Sequence, residues 1–542
     1  MRSFTSFVLL ATALVSGCAG APDFEPVVGC RGDNDCDNDE VCFIDGCGDP
    51  GRNIVVEVVP NPRAGLHAQD FRVEELRSQQ NIELYDAAVL QGQVLVQGMT
   101  SSGAYSAPIT LRMTGESLLI PGVARRHEST LIPENGGYSL PVGVGRYNVT
   151  LLTTDSELPP VSNTREVQPG RSVMLDFTLP VSSELVRLSG KVVRQDETPV
   201  DVELEVQALD EQLRPLSQRV MVRRVTSETG GAGEFTLALP PSAVERPTVV
   251  LQVVPTSAQA LVPQKLFTVS PRQGVLEPLE MGDYGEPVRF KSRVLSRDGQ
   301  PVAQASVSLQ GKVGGGGLFR SQKVLTDANG SFELLTLASE SGNPMTLSVV
   351  PPPGSSAGLT QSYVQVPRTS LVQSPDVTCG ERMKVRGTLL KPSSSEPAAG
   401  VQVVAEPLGD VPGWPRPAFS FEAPRTTDEG GHFELALDPG RYRFDFIPTE
   451  NLPRVSRIVT VRPVEGVSTS EAALELSSFT LSKGRSVTGQ VSFNGSNPLP
   501  AAPYASIRFF RVVDVEGKPS ALLLSETLTD QNGGYSTTVP AR

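Results

Sequence analysis

The chain has 542 residues, 39% of them hydrophobic, with 50 Gly, 46 Pro and a formal net charge of −13. That length allows several cores, the Gly and Pro content is more than a helical protein tolerates, and the acidic balance would repel a phosphate backbone. Nucleic acid is therefore not an expected partner, and no apolar run after residue 20 approaches the roughly 18 residues that cross a bilayer.

The N-terminus carries Arg2, an apolar stretch from Phe7 to Val15, and then Val15-Ser16-Gly17-Cys18. A basic start, an apolar run and small residues before a site of cleavage make a signal peptide over residues 1–17. The last four residues resemble a bacterial lipobox. The resemblance implies that Cys18 carries diacylglycerol and that the membrane is a partner through that N-terminal lipid. Two or three acyl chains anchor firmly where one does not. Ala19 in place of Asp directs the expectation to the outer membrane of a Gram-negative envelope. Residues 18–29 read as a linker.

Cys30, Cys36, Cys42 and Cys47 fall in one short segment, residues 30–50. In an exported chain such spacing predicts two disulfides that staple a piece too small for its own core, with three pairings open. Paired C-x2-C ligands and a nearby His, as zinc would want, are missing from the sequence here, so no metal is expected. The run Asp33 to Glu40 resembles a calcium loop, but Asn38 stands where Gly is needed and Ile44 where the bidentate Glu is needed. It reads as a solvated loop. Cys379 has no sequence partner and is expected to be a buried free thiol.

From residue 53 onward the chain repeats. Units open with Gly92-Gln93-Val94, Gly190-Lys191-Val192, Ser292-Arg293-Val294, Gly387-Thr388-Leu389 and Gly489-Gln490-Val491, which lie 98, 102, 95 and 102 residues apart (92 to 190, to 292, to 387, to 489). That period matches a sandwich of about 100 residues. Alternating segments such as Val202 to Ala208 and Ala305 to Leu309 are half-buried strands. A turn follows in each unit, Glu134 to Tyr138, Glu228 to Phe235, Asp327 to Phe332, Asp428 to Phe433 and Asp530 to Tyr535, in which Asp caps, Gly supplies positive φ and the aromatic enters the next strand facing inward. Gly145-Arg146-Tyr147 and Gly440-Arg441-Tyr442 open a later strand, again with Tyr facing inward.

The fold class expected is thus all-β: tandem antiparallel β-sandwich units of about 100 residues after a disulfide-stapled segment. The boundaries are a partial β unit over 53–88, then sandwiches over 89–182, 186–282, 287–378 and 383–480, and an incomplete fifth over 485–542. The G-x-V, D-x-x-G-x-F/Y and P-G-x-Y pattern resembles the carboxypeptidase regulatory-like domain, which implies a prealbumin-like sandwich and non-catalytic roles as spacer, accessory module or binder of proteins and glycans. The zinc peptidase half of those enzymes is not encoded: none of His67, His127 and His432 has Glu three residues on.

No other chemistry stands out. Gly314 to Gly317 come after Lys312 rather than before it, so this is a flexible hairpin loop and not a phosphate loop. No catalytic residue and no cofactor is assigned. The candidate binding residues are Trp414, Phe419 and Phe421 in a Pro-stiffened insertion, able to stack on a sugar or anchor a protein, or else to cover a core. The function expected is a lipid-anchored, non-catalytic stalk or interaction module with envelope proteins or polysaccharide as partners, the alternative being a carbohydrate-binding surface lipoprotein. Residues 53–60 look like the closing strand of a unit that has no opening half, while the fifth unit lacks its closing strands. Exposed edges of this kind invite strand addition, which gives the expectation that residues 53–85 complete the fifth unit of another copy; the alternatives are that the sequence stops short of its natural C-terminus or that the hairpin packs on the first unit.

Overall fold

The computed structural model describes residues 27–542 except 31, 38, 99–101, 156, 199, 201, 223–230, 258, 410–424, 450, 463–472, 495–499, 516 and 542. The described chain is all-β, its only helical pieces being short 3-10 turns. Each sandwich has two sheets, and the strand that begins with the repeat motif organises the first. Ala88–Gln97 pairs antiparallel with Gly137–Val142 and parallel with Ser172–Met174 and Phe177–Pro180. The same neighbours surround Val186–Val193, Val288–Leu295 and Met383–Leu390 in the next three units. The sheets are thus mostly antiparallel, with a parallel closing strand in each unit.

The second sheet places the alternating strand beside the one that follows the turn, and an edge strand outside that. In the second unit these are Leu204–Leu209, Val249–Pro255 and Lys265–Val269. The period-two pattern puts Leu204, Val206, Leu251 and Val253 wholly into the core and their neighbours outside.

The repeat motifs meet across the first sheet. The aromatic after the turn lies directly opposite the first motif residue: Tyr138 to Gly92, Phe235 to Gly190, Phe332 to Ser292, Phe433 to Gly387 and Tyr535 to Gly489. A Cβ on Gly387 would come within 2.5 Å of the Phe433 ring, and on Gly190 within 2.8 Å of the Phe235 ring, so the glycine is where the ring lies flat on the partner strand. Ser292 takes the place without a glycine by turning its hydroxyl away to donate to the Pro375 carbonyl at 2.7 Å.

The fifth sandwich corrects the reading of two separate incomplete units. Lys483–Phe493, Ser506–Val515, Lys518–Leu528 and Gly534–Ala541 supply one part of it. The three missing places are filled by residues from the other end of the chain: Ile54–Val59 pairs antiparallel with Ser506–Val515, Gln69–Val73 forms the edge beside it, and Ile82–Leu84 runs parallel to Lys483–Phe493. The reason is visible in the residues. Ile54–Val59 stands where Val249–Pro255 stands in the second unit, and Ile54, Val56 and Val58 join Ile507, Phe509 and Val539 in one core. The hairpin does not simply pack on the first unit. The path of the chain leaves the fifth sandwich, runs through four others and returns, so the array closes on itself.

Neighbouring sandwiches are packed, not strung on loose linkers. The second and third share one continuous apolar cluster through Met281 and Tyr284. The glycine run of the third unit belongs to this joint: a Cβ on Gly315 would meet the Gly282 backbone at 2.5 Å, and Val313 donates its amide to the Gly317 carbonyl at 2.9 Å. It is a packed turn, not the flexible loop its composition suggests. At the joint of the third and fourth, the buried Arg382 donates to the carbonyls of Pro352 and Pro351, at 3.1 Å and 3.4 Å. It also faces the Asp438 carboxylate at 3.5 Å.

Candidate functional site: the closure seam and its disulfide clasp

Two constructions meet where the chain closes. The first is a strip of charge between the N-terminal hairpin and the first sandwich. Arg125, on the edge strand Ala124–Leu131, reaches across with one guanidinium nitrogen to Glu57 at 2.6 Å and another to Asp70 at 2.7 Å. Glu57 also faces Arg508 at 3.4 Å, and Arg508 binds Glu526 at 2.8 Å. The Ser117 hydroxyl donates to Asp70 and accepts from the amide of Ile120 at 2.9 Å. Both carboxylates are almost fully buried. Burial pushes the Asp70 carboxyl above its ordinary range, against the pull of Arg125 and Ser117. Beside this strip a small apolar cluster of Val55, Ile120 and Phe510 completes the contact.

His67 and His127 also face each other at the seam, with ring centroids 4.8 Å apart. Desolvation, and after it the charge of His67, holds His127 below the usual histidine range. His432 lies elsewhere, against Thr388, so the three histidines do not converge on one centre.

The second construction is the cysteine-rich segment. Its disulfides are Cys30–Cys42 and Cys36–Cys47, which selects one of the three pairings that spacing left open. The segment is a clasp on the fourth and fifth sandwiches. Val27–Val28 adds a strand to Val455–Val461 of the fourth, while Val41, Phe43 and Ile44 enter the core of the fifth. The described acidic residues are not simply solvated: the Asp33 carboxylate accepts from the Cys42 amide at 3.0 Å and from the Ser482 hydroxyl at 3.1 Å.

Two arginines hold the clasp from beneath. Arg457 is fully buried and donates to the carbonyls of Cys42 at 3.2 Å and Ser456 at 2.8 Å. Burial pulls its guanidinium down to about 10, opposed by the charges of Asp33 and Asp35. Arg511 lies over the Phe43 ring at 4.0 Å and donates to the Asp49 carbonyl at 2.5 Å. An open cleft of about 1190 Å³ runs along this seam, lined by Asp45, Asp49, Glu74, Arg485 and Asp514 among others. Its lining mixes acids with guanidinium groups and shows no cluster of ligating atoms.

Of the residues singled out in the sequence, the four clasp cysteines come together as disulfides, and Cys379 is a buried free thiol. Cys18, Trp414, Phe419 and Phe421 lie outside the described residues. Sequence reasoning missed the seam charges, because a lone Arg or Glu in an alternating strand looks like any solvated residue. It also missed a threonine that precedes the turn Asp in three units. Thr326, Thr427 and Thr529 are buried. Each donates its hydroxyl to the carbonyl of Val302, Ala398 or Ala502 and accepts from the amide of Ala305, Val401 or Ala505. The recurring Thr-Asp pair was the available signal.

No family model matches the sequence, and no curated protein matches it either. Among solved structures the protein is similar to a streptococcal ancillary pilin, at 15% identity and a TM-score of 0.23, over 55% of this chain and 99% of that one. It is also similar to the Bacillus anthracis TIE protein, at 11% identity and a TM-score of 0.17, over 72% of each chain. A third likeness is to the shaft pilin SpaA of Lactobacillus rhamnosus GG, at 9% identity and a TM-score of 0.21, over 36% of this chain and 97% of that one. At TM-scores this low the likenesses say nothing about function.

Proposed function

We propose that the protein is an exported, non-catalytic scaffold of the cell envelope, held in the outer membrane by lipid on Cys18. The observation that carries the scaffold reading is the use made of the recurring residues. Motif glycines, turn acids, threonines and aromatics are all engaged in turns, backbone contacts and core packing, and what repeats is therefore architecture. Export is supported by two disulfides built into the fold, since such bonds persist in oxidising compartments. The spacing of the G-x-V and D-x-x-G-x-F/Y motifs supports placing the units in the carboxypeptidase regulatory-like class.

Closure changes the shape expected of this scaffold. A linear stalk would have its first and last units far apart, whereas here strands of the first described segment complete the last sandwich. The module is a closed body whose first described strand, Val27–Val28, is paired in the fourth sandwich. The test is labelled palmitate in a Gram-negative host. The wild-type chain should take up label and fractionate with the outer membrane, and Cys18→Ser should do neither. Normal labelling of the variant would sink the anchor, and a wild-type chain free in the periplasm would sink the envelope reading with it.

A further inference from the structure

The slot that receives the N-terminal hairpin is specific and is filled without a covalent bond. Without the hairpin, the C-terminal part of the fifth sandwich would present two unpaired edges, Ser506–Val515 on one sheet and Lys483–Phe493 on the other. Ile507, Phe509 and Val539 would lose the cover of Ile54, Val56 and Val58. Edges and apolar faces of this kind bind strands.

The occupant is encoded in detail. Gly489 leaves room for the Gln80 carbonyl, which a Cβ there would meet at 2.0 Å, and the Tyr535 hydroxyl donates to the same carbonyl at 2.5 Å. The Gln490 amide donates to Asn81 at 3.1 Å, the Arg485 guanidinium to the Leu76 carbonyl at 2.7 Å, and Arg508 pairs with Glu57. Asn81 and Glu57 are side-chain partners that this hairpin brings into register with the slot.

The hairpin and the slot are also made at different times. In the paired register Val59 lies opposite Ser506, 447 residues later in the chain (506 − 59). A chain that emerges N-terminus first presents the hairpin before its partner. Hairpin and first sandwich are joined tightly in that interval, since Ile82–Leu84 is followed almost at once by Ala88–Gln97. The pair can therefore reach any copy of the slot that is already complete.

We propose that the hairpin of residues 54–84 also completes the fifth sandwich of a second copy of this chain, so that the protein forms strand-exchanged assemblies besides its self-closed form. Reciprocal exchange closes a dimer. One-way exchange is heterologous and makes head-to-tail runs.

The test uses full chains and the registered pair Val59 and Ser506, both half-buried at the end of their strands. One chain carries Val59→Cys, the other Ser506→Cys with a different tag, and the two are co-expressed in an oxidising compartment. A heterodimer held by a disulfide is expected, at several times the level given by Val59→Cys with an exposed off-register partner, Thr164→Cys. The double variant Val59→Cys with Ser506→Cys reports the same register within one chain. A cross-link in the double variant with no heterodimer above the control overturns the proposal. So does failure of both combinations, because the slot would then not hold the hairpin in this register.

Discussion

The amide of Val294 donates to the carbonyl of Gly330 at 2.8 Å. It joins the third residue of the motif that opens the unit to the glycine of the turn that precedes the inward-facing aromatic. The same bond links Val94 to Gly136 at 2.7 Å, and Val192 to Gly233, Leu389 to Gly431 and Val491 to Gly533 at 2.8 Å. Every one of these glycines has positive φ, from 73° to 84°. A Cβ on Gly330 or Gly431 would lie 2.3 Å or 2.4 Å from the carbonyl oxygen of Val294 or Leu389. Gly330→Val and Gly431→Val should each cost about 2–4 kcal/mol, from left-handed backbone strain and the clash together. The reach of the damage should differ. The fourth sandwich has its own core, so limited proteolysis of Gly431→Val should open that unit alone. The third shares a core with the second, so Gly330→Val should open both. Opening of all five sandwiches together by Gly431→Val would contradict the separation of cores.

The buried charges of the seam make a second expectation. Arg125→Ala leaves Glu57 and Asp70 buried without their partner, and should cost about 3–5 kcal/mol. Removing all three charges at once, as Arg125→Met with Glu57→Gln and Asp70→Asn, should cost less than Arg125→Ala alone. Denaturant unfolding of the three chains gives the order directly. If Arg125→Ala unfolds like the wild type, the strip is not holding the seam.

Disulfide removal tests the clasp. The bonds span sequence separations of 12 and 11, for which loss of loop-closure entropy predicts about 2–3 kcal/mol each. Cys30→Ser with Cys42→Ser should make residues 27–48 the first site of proteolysis. It should also lower the stability of the fifth sandwich, which takes Val41 and Phe43 into its core. The first sandwich should keep its resistance.

Cys379 serves as a built-in reporter. The residue is 2% exposed, and burial pushes its thiol up to about 11 from an ordinary 9.0. The folded state therefore holds its proton more tightly than the unfolded state. Its contribution to stability is complete below pH 9 and is lost as pH rises from about 9 to about 11, at about 1.4 kcal/mol per pH unit. Cys379→Ala should flatten the fall in stability between about pH 9 and about pH 11 by that slope. In a chain carrying Cys18→Ser, a maleimide at pH 8 should label no thiol in the native protein and one after unfolding. Fast native labelling would place Cys379 at the surface.

What could be read from the sequence was local. Gly92 and Tyr138, or Asp530 and Gly533, announce themselves because a close aromatic approach or a capped turn permits few other residues. Residues 53–60 read as a strand of a sandwich, and Ile54–Val59 does take its place in one, between Ser506–Val515 and Gln69–Val73. Its partner was not legible. Pairing across more than 400 residues leaves no mark in either strand, and an alternating strand accepts any edge of the right hand. The seating of the disulfide segment was hidden for a like reason: Arg457 and Arg511 hold it, and neither arginine is near it in sequence.

Closure also decides how the protein bears load. In a linear series of sandwiches, a pull between anchor and far end passes undiminished through every unit, and the weakest one opens first. Here a pull delivered through the segment before Val27 enters at the fourth and fifth sandwiches, where Val27–Val28 and Ile54–Val59 are paired. A force applied at the third sandwich then divides between two arms, one through the second and first and the other through the fourth. Each arm carries part of the tension. Within the fifth sandwich, hydrogen bonds perpendicular to Ile54–Val59 share a lengthwise pull among them. The closed array can thus yield in one arm and still remain tethered by the other.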